Sequence, residues 1–143
     1  MRIGAPSLSR DRLDLWARFR RHGREAKGWP AEAGGQPGIL LEHPFRTEEW
    51  AYYVGDRLIA VAYVDVLPEG LSAIYCYYDP AERARSLGTF NILSFLASAR
   101  QRGLRHVYLG YYVAGCRSME YKRNFRPNEV LQPSGTWETF DVG

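Results

Sequence analysis

Residues 77 to 112 read YYDPAERARSLGTFNILSFLASARQRGLRHVYLGYY, and a change of period inside this stretch decides the fold. After Asp79-Pro80 the apolar side chains stop alternating and recur with helical spacing, at Leu87, Phe90, Leu93, Phe95, Leu96 and Ala99. That spacing predicts a helix from about Leu87 to Arg102, stopped by Gly103. HVYLGYYV, residues 106–113, is short and almost wholly apolar, the pattern of a central buried strand.

Upstream lie three runs rich in Val, Ile and Tyr: WAYYV (50–54), RLIAVAYVDVL (57–67) and LSAIYCYYD (71–79). Gly55-Asp56 and Pro68-Glu69-Gly70 separate them, so they read as an antiparallel meander. Leu8, Leu13, Leu15, Trp16 and Phe19 form one stripe among arginines, which predicts an amphipathic helix over 9–22 with Ser9 as N-cap. Residues 23–38 then read as a loop. Downstream, CRSMEYKRNF (116–125) predicts a short helix that Arg126-Pro127 ends, and a last strand is expected near 136–140. Helix, three strands, long helix, strand, short helix, strand is the plan of a GNAT-type acyltransferase. The expected class is α/β (α+β): one domain over residues 1–143, with a mostly antiparallel central sheet flanked by helices.

At 143 residues, with 45% hydrophobic and 24% charged side chains, the chain is long enough to bury a core without disulfides, and disorder is excluded. Cys76 and Cys116 have no C-x-x-C spacing, so no disulfide framework or zinc site is expected, and the cytoplasm is the expected compartment. No stretch of 18 apolar residues suggests a membrane span. The net charge of +3 hides two basic blocks: residues 1–30 carry 8 basic and 3 acidic groups, and residues 100–126 carry 7 and 1. Ten tyrosines are the other excess, and exposed rings among Tyr77, Tyr78 and Tyr112 are candidates to stack on a nucleobase. His22, His43 and His106 stand in unrelated contexts, and neither a G-x-S-x-G elbow nor a Cys/His pair is evident.

YYDP, SLGTF at the helix start, YLGYY and GCRSMEYKRNFRP follow one another between residues 77 and 131. In this order they resemble the C-terminal half of the arginyl-tRNA-protein transferases and the bacterial aspartate/glutamate leucyltransferases, and the likeness extends over roughly residues 48–132. The resemblance implies a GNAT-like domain that moves arginine or leucine from charged tRNA to an α-amine, that of a protein or peptide with an acidic first residue. Aminoacyl-tRNA would be the co-substrate, with no cofactor, metal or membrane, and the protein is expected to be a monomer. The N-terminal, cysteine-bearing domain of the family is expected to be absent. Two alternatives stand beside this reading: an acyl-CoA-dependent N-acyltransferase, and a binding module for tRNA ends or degrons without catalysis. RARSLGTF is only a degraded form of the coenzyme A loop, which counts against the first alternative.

An aminoacyl ester is already activated, so catalysis reduces to holding a neutral amine against the carbonyl and stabilising the oxyanion. The resemblance implies a catalytic group of Lys122, Tyr121, Asp79 and Tyr112. It implies a substrate- and tRNA-binding group of Tyr78, Ser86, Leu87, Gly88, Cys116, Arg117, Met119, Arg123, Phe125 and Arg126. Ser86-Leu87-Gly88 opens a helix, where backbone N–H groups favour an anion such as the terminal phosphate. If 116–125 is helical, Lys122 and Arg126 lie about a turn apart and face one region, with Met119 beside them. The two cations are expected to bind the ester carbonyl region or the 3′-end phosphates, or Arg126 to receive the acceptor's acidic side chain. Asp79 precedes proline, a turn-forming context as well as a place to orient an amine.

Overall fold

The computed structural model describes residues 1–31, 38, 45–116 and 118–140. Arg117 and His43, and most of the predicted loop beyond residue 31, lie outside the described residues. The chain divides into two compact units, Met1–Tyr108 and Leu109–Gly143.

The first unit holds a five-stranded sheet in the order β1 (Arg2–Gly4), β2 (Thr47–Val54), β3 (Arg57–Leu67), β4 (Gly70–Tyr78), β5 (His106–Tyr108). All neighbours are antiparallel except β4 and β5. The predicted meander is present with its turns: Trp50 faces Ala62, and Ala62 faces Cys76. Strand β3 is buried on both faces, which explains its nearly unbroken apolar sequence. Ala60, Ala62 and Val64 join Trp50, Tyr52, Leu71, Phe95 and Ala99 on one side, against α2 (Leu87–Gln101). Val61 and Tyr63 join Leu15, Trp16, Phe19 and Tyr77 on the other, against α1 (Arg10–Lys27). Each large side chain taken from water here contributes about 1.5–3 kcal/mol.

Helix α1 runs five residues beyond its predicted end, through Gly23, because Trp29 folds back over that glycine. A Cβ at position 23 would run into the indole ring, and the turn is closed by the Trp29 N–H donating to the Gly23 carbonyl at 3.1 Å. Helix α2 matches its prediction closely, yet Phe90, Leu93 and Leu96 lie on its outer side and are exposed. Strand β1 has no signal in the sequence.

Strand β5 corrects the prediction. It has three residues instead of eight, only Val107 and Tyr108 are half-buried while His106 is exposed, and it lies at the end of the described sheet, beside β4. The chain turns away at Gly110, whose φ of +74° no extended strand uses.

In the second unit, the described residues among 116–125 do not form an α-helix. A tight turn leads into a 3-10 helix over Glu120–Asn124, and Phe125 is already extended. A two-stranded hairpin follows, β6 (Glu129–Leu131) with β7 (Trp137–Thr139), the second covering the predicted last strand.

Candidate functional site

The residues singled out by the sequence fall into two groups, one in each unit. In the first, β4 ends at Tyr78 and hands over to Asp79, which starts a 3-10 helix over Pro80–Arg85. Asp79 is only 8% exposed and its carboxylate is fully engaged. Oδ1 accepts from the Ala81 N–H at 3.0 Å. Oδ2 accepts from Arg57 at 3.2 Å and from Arg18 at 3.5 Å. Arg57 also pairs with Glu82, and Glu82 with Arg85; these two arginines hold the Glu82 carboxylate below its usual range, Arg85 most strongly. Asp79 therefore pins α1, β3 and the turn to the end of β4, and the turn-forming half of its sequence reading is what this geometry displays.

Tyr78 sets its ring edge-on to Phe19, with centroids 5.1 Å apart, and burial raises its pKa. Tyr77 does not qualify as a stacking surface. It is 1% exposed, its ring lies against Trp16 and its hydroxyl lies 3.5 Å from that of Tyr63. The alternation along β4 sends it into the α1-side core.

Ser86 joins the 3-10 helix to α2 in a left-handed conformation, φ 49° and ψ 48°, unusual for a residue with a side chain. Its hydroxyl makes no capping bond, while its carbonyl accepts from the Phe90 N–H at 2.9 Å. The Leu87 side chain is buried in the α2-side core, so only its backbone is available to a ligand. Gly88 follows in the first turn. That turn carries no acidic residue, and Arg83 and Arg85 directly precede it, a favourable setting for an anion.

In the second unit the central observation is the Lys122 ammonium. It donates to the Leu109 carbonyl and to the Tyr111 carbonyl, each at 2.7 Å. Burial lowers its pKa, and Cys116 opposes that effect. Tyr111 is 88% exposed, whereas Tyr112 is half-buried, with its ring 4.7 Å from that of Phe140. The Cys116 carbonyl accepts from the N–H groups of Met119 (2.8 Å) and Glu120 (3.1 Å), and its Sγ lies 3.3 Å from the Ser118 hydroxyl. Tyr121 packs edge-on to Phe125, with centroids 6.3 Å apart. Arg123 is half-buried, and Arg126 is exposed beyond the helix end. The expected one-turn pairing of Lys122 with Arg126 fails because the 3-10 helix stops at Asn124.

Sequence reasoning missed Asn128. Its side-chain amide donates to the carbonyls of Arg123 (3.0 Å) and Phe125 (2.8 Å), closing the end of the 3-10 helix. An Asn shortly after a helix stop is the only local signal for it. The Cys76 thiol is pushed up to about 12 by burial, which keeps it protonated. Among the described residues no three His, Cys, Asp or Glu side chains gather to hold a metal, and no helix is long and apolar enough to cross a membrane.

Among solved structures, the fold is similar to a possible acetyltransferase from Clostridium difficile 630 (TM-score 0.61, 13% identity, 99% of this chain and 97% of that one). It is also similar to the ribosomal-protein-S18-alanine N-acetyltransferase of Escherichia coli (TM-score 0.55, 14% identity, 95% and 87%). These show the GNAT fold. At the level of sequence, the chain is 37% identical to an aspartate/glutamate leucyltransferase of Campylobacter jejuni over 143 residues, covering 97% of this chain and 59% of that protein. A protein of the same name from Pseudomonas fluorescens is 38% identical over 128 residues, covering 88% and 54%. The chain thus spans somewhat more than half the length of these relatives. A family model described as "Arginine-tRNA-protein transferase, C terminus" matches residues 11–132, and the chain belongs to that family.

Proposed function

We propose that this chain transfers an aminoacyl group, leucine in the first instance, from charged tRNA to the α-amine of a polypeptide with an acidic first residue. The observation that carries this reading is the match over 97% of the chain to a relative named for that activity. The names of the relatives favour leucine; the description of the family model names arginine.

The chemistry asks little of the protein beyond placement. The neutral amine attacks the ester carbonyl, a C–N bond forms as the ribose C–O bond breaks, and the proton lost by the amine passes to the departing ribose oxygen. Holding the two reactants in contact supplies much of the acceleration. No covalent enzyme intermediate is needed, in keeping with a Cys76 thiol that stays protonated. The start of α2 at Ser86–Gly88 is the place for a terminal phosphate. The exposed Tyr111 ring offers a face to a base, and Tyr121, Arg123 and Arg126 lie on the same unit. In the first unit, Asp79 acts by fixing the turn that precedes α2.

The test is incubation with leucyl- and arginyl-tRNA, each labelled in its amino acid, and with peptides beginning in Asp, Glu or Ala. Label is expected in the acidic peptides, from leucyl-tRNA. Acyl transfer from acetyl-CoA without any response to charged tRNA would overturn the proposal.

A further inference from the structure

Leu109–Tyr111 leaves the sheet where β5 ends, although YLGYYV holds nothing but Gly110 to stop a strand. Two observations account for the departure. Gly110 adopts φ +74°, and the carbonyls on either side of it, of Leu109 and Tyr111, converge on one ammonium at 2.7 Å each. An ammonium has three N–H donors, and two of them are engaged by backbone of the same unit. The segment that carries Lys122 is itself held at both ends, by the Cys116 carbonyl accepting from Met119 and Glu120, and by Asn128 donating to Arg123 and Phe125. A fixed cation thus grips a stretch of backbone that pairs with no strand among the described residues.

We propose that Lys122 is a positioning residue: its ammonium clips Leu109–Tyr111 into one conformation and so sets where the Tyr111 and Tyr112 rings stand, without carrying a proton or contacting a phosphate. Its consequence for turnover rests on the transfer reading above; the clip itself does not. One N–H is left over, but a phosphate that drew the ammonium to itself would break two short, charge-assisted bonds to carbonyl oxygen and release the segment. A proton carrier needs an acceptor on its route, and the acceptors in contact are carbonyls, which take no proton at neutral pH.

The experiment compares Lys122→Met and Lys122→Arg with the unaltered chain by two measurements. In amide hydrogen exchange, Lys122→Met is expected to speed exchange over residues 109–112 at least roughly tenfold while β2, β3 and β4 stay protected, and Lys122→Arg to restore part of the protection. Unchanged exchange at 109–112 overturns the clip. In transfer from charged tRNA, Lys122→Met is expected to lower kcat roughly 100-fold, with KM for the tRNA held within about threefold and the shape of the pH profile kept. Lys122→Arg is expected to recover a good part of that loss. A tenfold rise in KM at constant kcat would mean a phosphate contact, and loss of one limb of the pH profile would mean a proton carrier; either overturns the positioning role. If the unaltered chain transfers nothing, the transfer reading fails, and the exchange measurement still decides the clip.

Discussion

Glu48 lies buried on the α2 side of the sheet, and it is tolerated there because its carboxylate is fully met. Arg102 donates to both oxygens at 3.0 Å, and the Trp50 indole N–H donates at 3.1 Å. Burial pushes the Glu48 pKa up, and the bonds from Arg102 and Trp50 outweigh it, so the net direction is down from 4.5. A carboxylate held below its unfolded pKa adds stability that is complete above that value and fades as pH falls through the folded one. Arg102→Met is expected to cost about 2 kcal/mol at pH 7 in urea unfolding. The gap to the parent chain should shrink below pH 4.5; a gap independent of pH would show that the pair is not what stabilises. Nothing local announces this contact, since Glu48 and Arg102 are 54 residues apart. Asp79 is the contrast. Its role as the head of a turn was legible in Asp-Pro, while its bonds to Arg18 and Arg57 are made by the fold.

At the level of elements, the meander and α2 were legible because each has a clear period and local stop signals. Strand β5 was not, because the cation that takes its neighbouring carbonyls comes from a different segment. Gly23 shows the same limit on α1. Glycine inside a helix ordinarily costs about 1 kcal/mol relative to alanine, so the sequence suggests a helix end there. Gly23→Ala is nevertheless expected to lower the melting temperature, because the new methyl displaces Trp29; a higher melting temperature would refute that packing. The tyrosines of the sheet predict a second behaviour. Tyr52, Tyr63, Tyr75, Tyr77 and Tyr78 all have their pKa raised by burial above the ordinary 10.0. Groups raised in this way support the fold fully below pH 10 and withdraw that support as pH climbs through their folded values. The share of the phenolate absorbance at 295 nm that these five tyrosines contribute should therefore rise together with unfolding, in one cooperative step above pH 10. Gradual ionisation of a folded sheet would contradict this.

For the whole molecule, the second of the two basic blocks, residues 100–126, is divided between the units. Arg100, Arg102 and Arg105 belong to the first unit, and Lys122, Arg123 and Arg126 to the second. Two of these cations are already occupied, Arg102 by Glu48 and Lys122 by backbone carbonyls, so the formal charge overstates what is left for phosphate. With tRNA as the donor proposed above, its binding is expected to weaken linearly in log K against log salt, and Arg123→Ala or Arg126→Ala to reduce that slope by about 1 each. Arg102→Met should leave the slope unchanged. Titration of fluorescent tRNA at several salt concentrations reads all three, and an equal loss in all three would refute the division.

The double burial of β3 carries a kinetic consequence. Its two neighbours in the sheet are also its neighbours in sequence, joined by turns of two residues, Gly55-Asp56 and Pro68-Glu69. The centre of the sheet can therefore form from short-range contacts at small entropic cost, whereas β1 must wait for a partner some 45 residues along the chain. Substitutions at Val61 or Ala62 should accordingly slow refolding, while substitutions at Ile3 should show mainly in the unfolding rate.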